Sequence, residues 1–319
     1  MPAMMRMTCV AVAMLAACGS DGSNTGDDGP PSDGAAGGDA GGEQPPAGYT
    51  KLISHSWALG AGATDTYKCV RVTIPEDTYV TNIRAQAPSG THHTVLTIAG
   101  ANGTSGPDGE FDCGVGSLGM VMLYASGVGT SPLDFPTDVG VKIPAGTQLA
   151  LNLHLYNATD NDLSGETGIW VKSQPTAPPT LAEMVFAGTT NIFIQSSSTP
   201  KDVSGGCTVG QGQDYKLFAI WPHMHQIATH QKVELVHNGT TTVLHDQPFH
   251  FTEQNYYRQD PEISVVGGDQ VKVTCTYLND TGHLVTIGDS SNQEMCFSGF
   301  YRYPARNAGL FECSTGPGL

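Results

Sequence analysis

Apolar and polar residues alternate along most of the chain after residue 66, and this period of two limits the fold more than any other feature. The alternation recurs at residues 66–80, 91–99, 139–156, 168–172, 183–188, 215–221, 231–236, 264–277 and 296–303. Successive side chains of a strand point to opposite faces of a sheet, so a strand with one buried face has this period. Segments with a helical period are short, and the 40 glycines can supply turns. We therefore predict an all-β protein.

A proline-rich segment divides the alternating pattern into two parts. It has the sequence SQPTAPPT and occupies residues 173–180. Prolines interrupt strands, and each part has the size of a β-sandwich. We therefore predict two sandwich domains, at residues 49–175 and residues 176–319. The two parts are similar in length, but no close internal repeat relates them.

The N-terminus has the features of a bacterial lipoprotein signal. Arg6 precedes an apolar run that is too short to span a bilayer, which predicts a signal peptide at residues 1–17. The sequence LAAC that ends at Cys18 resembles a lipobox, in which the cysteine is acylated. The alternative is an ordinary signal peptide with an incidental Cys18. Residues 18–48 are rich in Gly, Asp, Ser and Pro, a composition typical of a flexible tether.

These features predict an exported protein that is anchored to a bacterial membrane through a lipid on Cys18. Asp21 is the third residue after Cys18, not the second, so inner-membrane retention is not indicated and we expect the outer membrane or the cell surface. The net charge is −16 without a basic patch, which argues against a nucleic-acid partner. We expect a monomer whose only membrane contact is the lipid.

The cysteine count indicates disulfides. Of the eight cysteines, Cys9 falls in the signal peptide and Cys18 is the proposed lipid site. The even number that remains in an exported protein predicts three disulfides, for which about fifteen pairings exist. If bridges stay within domains, Cys69 pairs with Cys113. No pair has the CxxC spacing, so a thiolate metal site is not indicated.

Two histidine pairs have spacings that suit a metal. His223 and His225 lie two apart in LFAIWPHMHQIA, so on a strand both imidazoles face the same side. His92 and His93 are adjacent, and both can face one ion only where a strand bends or begins, as Gly90 allows. Taken alone, either pair is also compatible with solvated histidines.

His154 and Met295 are weaker candidates when each is taken alone. His154 lies on the face of LALNLHLYNAT opposite the leucines, which fits either an exposed strand histidine or a ligand. Met295 is in SSNQEMCFSGFYRY, and a methionine usually packs in a core. Its thioether is nevertheless a soft ligand that favours Cu(I).

In combination, these residues resemble the copper type II, ascorbate-dependent monooxygenases, the family of peptidylglycine α-hydroxylating monooxygenase and dopamine β-monooxygenase. The pattern is HH, then H, then HxH, then EMC, in that order and with family-like spacing. The resemblance covers residues 50–313. The stretches that carry it are DTYKC (65–69), THHTVL (91–96), LNLHLY (151–156), WPHMH (221–225), and the run from CTYLND (275–280) to NQEMC (292–296).

The resemblance implies two tandem antiparallel jelly-roll β-sandwich domains and two copper ions per chain. The set that would hold the electron-transfer copper, in the first domain, is His92, His93 and His154. The set that would hold the copper that binds dioxygen, in the second domain, is His223, His225 and Met295. The second set is therefore the predicted catalytic set.

The resemblance also implies the cysteine pairing. The implied disulfides are Cys69–Cys113, Cys207–Cys313 and Cys275–Cys296. The last of these would fix the residue after Met295 and so the approach of its thioether to the metal. Tyr67 matches a family tyrosine near the first copper.

The chain departs from the peptide-hydroxylating members where these bind the substrate carboxylate. They have an arginine two residues before HxH, and an asparagine and a tyrosine two and four residues after the methionine. This chain has Trp221, Phe297 and Gly299 at those positions. A carboxylate without a cationic partner binds poorly in a desolvated site. We therefore expect no hydroxylation of peptidylglycine, and we predict that Trp221 and Phe297 line a pocket for a small apolar or aromatic substrate.

The predicted function is a copper-dependent monooxygenase that uses dioxygen and a one-electron donor such as ascorbate. The alternative is a copper-binding surface lipoprotein without turnover. Five histidines have no place in the pattern and are expected at the surface or in loops; they are His230, His237, His245, His250 and His283.

Overall fold

The computed structural model describes residues 43–317 except residues 64–65, 101–102, 115–120, 128, 252, 254 and 308. All described residues belong to one compact unit. They form strands, turns and loops without a helix, so the prediction of an all-β protein is confirmed. The signal peptide, Cys18 and most of the tether lie outside the described residues, and their roles stay predictions. In the described part of the chain, no helix is long and apolar enough to cross a membrane.

The strands divide into two groups along the chain. Those of the N-terminal half are β1 (Thr50–Leu59), β2 (Thr66–Thr73), β3 (Thr78–Gln86), β4 (Thr91–Ile98), β5 (Gly109–Phe111), β6 (Val121–Gly127), β7 (Leu133–Asp134), β8 (Val139–Ile143), β9 (Gln148–Leu155) and β10 (Leu163–Gln174). The later strands are β11 (Thr180–Leu181), β12 (Glu183–Thr189), β13 (Phe193–Ile194), β14 (Lys201–Thr208), β15 (Tyr215–His223), β16 (Ala228–His237), β17 (Thr240–Pro248), β18 (Tyr257–Val265), β19 (Gln270–Tyr277), β20 (Val285–Thr286), β21 (Cys296–Tyr303) and β22 (Cys313–Thr315).

Each half builds two larger sheets, most of whose pairs are antiparallel. In the N-terminal half the orders are β1-β10-β3-β8-β11, with β7 also on β3, and β5-β2-β9-β4-β6. In the C-terminal half they are β18-β15-β21-β12-β22 and β14-β19-β16-β17, and β13 pairs with β20. Strands up to β11 pair within the two sheets of the N-terminal half, whereas strands from β12 onwards pair within the sheets of the C-terminal half. The jelly-roll topology and the domain boundary at residue 175 stay predictions.

Each of three long alternating runs in the sequence forms two strands, and the two strands belong to different sheets. Residues 66–80 contain β2 and β3, residues 139–156 contain β8 and β9, and residues 264–277 contain the end of β18 and β19. The first two runs are interrupted at Pro75 and Pro144, because proline cannot donate a ladder hydrogen bond. The chain turns there and crosses to the facing sheet, so the alternation continues although the strand does not.

A turn that occurs in both halves reveals a local repeat. Asn157 follows β9 and Asn279 follows β19, and both side chains are buried. The Oδ1 of Asn157 accepts hydrogen bonds from the N–H and hydroxyl of Thr159, at 3.0 and 2.8 Å. Asn279 and Thr281 make the same two bonds, at 3.2 and 2.7 Å. The turns share little sequence beyond the Asn and the Thr, so they share a local geometry without a close sequence repeat.

The two halves share a hydrophobic core. Phe186, Phe218 and Trp221 of the C-terminal half pack in the same buried cluster as the leucines of β9. Hydrogen bonds join the halves as well: the Ala125 N–H donates to the Tyr256 hydroxyl at 2.9 Å. The faces that carry the candidate ligands are therefore held together by buried contacts.

One histidine departs from its predicted position. His245 lies on β17 with 6% exposure, and its ring meets that of Tyr257 at a centroid distance of 4.3 Å. The expectation that His245 lies at the surface or in a loop is wrong. His230 and His237 lie on β16 but remain partly exposed, whereas His250 and His283 are exposed residues outside strands. The difference arises because Tyr257, on the neighbouring β18, covers the face of β17 that bears His245.

Acidification is expected to destabilise the fold through His245. Burial, together with the nearby His230, lowers the pKa of His245 from 6.5 to about 4, although Asp246 acts in the opposite direction. Between these two pH values the unfolded chain binds a proton that the folded chain excludes, so the free energy of unfolding falls as the pH drops. Urea unfolding of the wild type and of His245→Gln between pH 7 and pH 4 measures this effect. The variant should show the shallower dependence; parallel curves would contradict the prediction.

Candidate metal sites

An irregularity at the start of β4 turns two adjacent histidines towards the same place. The pairing of β4 with β9 shifts register between Thr91 and His93, directly after Gly90, whose φ is 98°. In a regular strand His92 and His93 would face opposite sides of the sheet. The bulge removes this constraint, and both imidazoles approach His154 on β9.

The three imidazoles of this first set converge. The Nδ1 of His93 lies 3.0 Å from the Nδ1 of His92 and 3.3 Å from the Nδ1 of His154. One nitrogen from each ring lies within 4.8 Å of the other two. Burial, and then the neighbouring His154 and His92, keep the pKa of His93 well below its usual value. The His93 ring therefore favours the neutral form, whose lone pair suits a copper ion.

Tyr67 and a disulfide support the first set from the neighbouring strand β2. Tyr67 is paired with His154 in register, and the two rings stack at 4.5 Å with an interplanar angle of 3°. Cys69, two residues further along β2, is bonded to Cys113. The stacking restricts rotation of the His154 ring, and the disulfide holds β2 beside the chain that follows β5.

The second set lies at the end of the β15–β21 ladder. The last pair of the ladder is His223 opposite Phe297. The His223 ring stacks on Trp221 at 4.8 Å and meets the ring of His225 nearly at right angles, with centroids 5.4 Å apart. Met295 directly precedes β21 and is half-buried. His223, His225 and Met295 also line the same cavity.

His225 is held by the segment that carries Met295. Its Nδ1 lies 3.0 Å from the carbonyl oxygen of Gln293, a contact that a protonated Nδ1 makes and that leaves Nε2 for a metal. Its backbone N–H donates to the carboxylate of Glu294 at 2.9 Å. Burial lowers the pKa of His225 and raises that of Glu294 to about 7, although backbone N–H groups act against the second shift.

Met295 is fixed from two sides. The Tyr277 hydroxyl donates a hydrogen bond to the Met295 carbonyl at 2.7 Å. The next residue, Cys296, is bonded to Cys275. The third disulfide joins Cys207 and Cys313, so all three bridges are the ones that the family resemblance implied.

One cavity between the halves is lined by His93 of the first set and by His223, His225 and Met295 of the second set. The N-terminal half lines it with Tyr67, His93, Val95, Met122 and Asn152. The C-terminal half lines it with Trp221, His223, His225, Phe251, Asp289, Ser291 and Met295. The ring of Phe251 lies between the sets, with centroids 5.5 Å from His92 and 6.3 Å from His225.

The two residues predicted to line a substrate pocket have different positions. Trp221 lines the cavity. Phe297 is buried outside the lining of this cavity and packs on Phe186 and Phe311, with ring centroids 5.3 and 5.2 Å away. Sequence reasoning missed Phe251, whose surroundings give no short-range signal. It also missed the hydrogen bonds that Glu294 accepts from the backbone of His225 and Met295, although the sequence shows an acidic residue directly before Met295.

Comparison with known proteins relates the chain to a copper enzyme family. Residues 180–315 match the profile of the "Copper type II ascorbate-dependent monooxygenase, C-terminal domain". The DBH-like monooxygenase protein 1 of Gallus gallus is 23% identical over 240 residues, which are 67% of this chain and 36% of that protein. The putative DBH-like monooxygenase protein 2 of Homo sapiens is 24% identical over 238 residues, 68% of this chain and 48% of that protein.

The match spans less than half the length of these curated relatives. Among solved structures, the major capsid protein P2 from bacteriophage PM2 aligns with 80% of this chain and 99% of its own at 13% identity, with a TM-score of 0.33. A TM-score this low does not establish a shared fold. The family profile and the two relatives therefore provide the support for the copper monooxygenase family.

Proposed function

We propose that the chain is a dicopper monooxygenase that hydroxylates a C–H bond of a small apolar or aromatic molecule. The reaction would consume dioxygen, two electrons and two protons, and would yield the hydroxylated product and water. A one-electron donor such as ascorbate would supply the electrons in two steps. The observation that carries this proposal is that His93, from the cluster of three histidines, and the second set of His223, His225 and Met295 line one cavity between the halves.

The donor atoms of each set fit copper, and the two sets fit different tasks. When bound, copper supplies one-electron redox chemistry and activation of dioxygen. Three imidazoles, as in His92, His93 and His154, tolerate both oxidation states and suit electron transfer. The thioether of Met295 is a soft ligand that favours the reduced ion, beside the imidazoles of His223 and His225. The second set is therefore proposed as the place where oxygen and substrate react.

The cavity wall offers apolar surface to a substrate but no Lys or Arg to bind an anionic one. Val95, Met122, Trp221 and Phe251 supply apolar surface, and none of the described residues that line the cavity is Lys or Arg. Apolar contact with such a wall stabilises an apolar ligand by about 25 cal/mol per Å² of buried surface. A carboxylate would lose its hydration there without gaining a cation. The chain is therefore not proposed to act on peptides that end in glycine.

Copper stoichiometry tests the two-site assignment. The purified wild type is expected to bind two copper ions per chain, whereas Met295→Ala should hold the second Cu(I) at least about 10-fold more weakly because it lacks the soft ligand. Met184→Ala is the matched control, since Met184 is buried on β12 and lies outside the cavity lining. A single copper in the wild type, or equal weakening in both variants, would overturn the assignment.

Oxygen consumption separates the enzyme from a copper-binding protein without turnover. The copper-loaded wild type is expected to consume oxygen when ascorbate is added, and Met295→Ala should consume it much more slowly. Two bound coppers with no reductant-driven consumption above that of the Met295→Ala variant would favour the non-catalytic alternative.

A further inference from the structure

The ligands of the second set come from two chain segments that the sheet does not hold together at the site itself. β15 and β21 are paired as far as His223 and Phe297. His225 and Met295 lie beyond this last pair, one on each segment, so no ladder hydrogen bond fixes their separation. A site that needs both side chains on one ion requires another connection at this point.

The carboxylate of Glu294 makes that connection. Its Oε2 accepts hydrogen bonds from the His225 N–H at 2.9 Å and from the Met295 N–H at 3.3 Å. Its Oε1 accepts from the Ile227 N–H at 3.0 Å. One side chain therefore holds the backbone on both sides of His225 and the backbone of Met295.

Only a carboxylate suits this set of donors. All three partners are backbone N–H groups, and both carboxylate oxygens accept. A glutamine of the same shape would present an NH₂ group to one of them in either orientation of its amide. Glu294 has 0% exposure. Burial of a carboxylate costs several kcal/mol unless hydrogen bonds offset it, so its place here calls for a reason beyond filling space.

We propose that Glu294 is a positioning residue that joins the HxH segment to the Met295 segment and brings His225 and Met295 to the same copper ion. This inference rests on the proposed function, because it concerns the second of the two proposed copper sites. Glu294 is not proposed to contact the metal or the substrate. It acts through the backbone of the two ligands.

The test compares Glu294→Gln with Glu294→Asp and with a matched control elsewhere. Glu183→Gln is the control, because Glu183 is a largely buried carboxylate that accepts hydrogen bonds from Arg302 at 2.8 and 3.0 Å on β12. The readouts are the Cu(I) affinity, by competition with a chromogenic chelator, and the copper–sulfur scattering in the X-ray absorption spectrum. The sulfur signal reports on the second set alone, since the first set contains imidazoles only.

We expect Glu294→Gln to bind Cu(I) at the second site about 10- to 100-fold more weakly and to lose copper–sulfur scattering, with the first site unchanged. Glu294→Asp keeps two acceptor oxygens and should be affected less. Glu183→Gln should lose stability but keep both copper signals. An unchanged affinity and sulfur signal in folded Glu294→Gln would overturn the proposal.

Two further outcomes are separable. If neither Glu294 variant folds while the control does, the carboxylate belongs to the fold rather than to the site, and the proposal fails. If the wild type itself shows no copper–sulfur scattering, the proposed function fails instead, whatever the variants do.

Discussion

Replacement of His154 by alanine is expected to leave one copper per chain and to lower ascorbate-driven oxygen consumption by more than about 100-fold, since changes outside the ligands already cost about 10- to 100-fold. His154 has 3% exposure and lies on β9, between β2 and β4. Its loss would leave only His92 and His93 in the first set. Two imidazoles hold copper weakly, and the second site would then lack its proposed source of electrons. Elemental analysis and an oxygen electrode measure the two effects.

The matched control is His245→Ala. His245 is almost as buried as His154, but it lies on β17 and does not belong to the cluster of His92, His93 and His154. This control should lose packing energy, keep two coppers and consume oxygen at the wild-type rate. Retention of both coppers in His154→Ala would refute the first site. Equal copper loss in both variants would trace the effect to packing rather than to ligation.

Several strands with at least one buried face could be predicted from the sequence. β21 has the bounds predicted from the alternation, residues 296–303. β17 was missed because most of its residues are exposed on both faces, so no alternation marks it. β14 was missed because its two glycines and its polar residues weaken the strand signal. In each case the environment of the strand, rather than its propensity, decided whether a pattern was visible.

The ligand types could be predicted from the sequence, whereas their surroundings could not. The spacing of His223 and His225 indicates a shared side, and the glycine before His92 permits the bulge that joins it to His93. From the sequence, His154 could be either a ligand or an exposed strand histidine, because alternation does not show which groups cover a polar face. Here the other imidazoles and Tyr67 cover it, and they come from β4 and β2.

The contacts that organise the second site join residues far apart in the chain. Glu294 and His225 are separated by 69 residues, and Phe251 reaches the site from the segment between β17 and β18. Neither contact can be predicted from a local sequence pattern, because each depends on the path of the chain beyond the paired residues of β15 and β21. The residues that position ligands are therefore visible only in the folded chain.

Removal of the Cys207–Cys313 disulfide is expected to cause the largest loss of stability among the three bridges. Its cysteines are 106 residues apart, against 44 for Cys69–Cys113 and 21 for Cys275–Cys296. Chain entropy then predicts losses of about 4.8, 4.0 and 3.4 kcal/mol respectively when both cysteines of a pair become alanine. A loss of about 5 kcal/mol is a large part of the stability of a typical protein. Urea unfolding of the three double variants measures the order.

The three double variants should rank differently in copper affinity than in the free energy of unfolding. This difference separates a local effect of a disulfide on the site from its effect on global stability. The Cys275–Cys296 pair closes the shortest loop, yet Cys296 directly follows Met295, so its removal should weaken copper at the second site most. The Cys207–Cys313 variant should unfold most easily but keep both coppers while it is folded, because its bridge joins β14 to β22 and neither cysteine is adjacent to a proposed ligand. If stability and copper affinity instead fall in the same order, the bridges act on the site only through global stability, and the local role assigned to Cys296 is wrong.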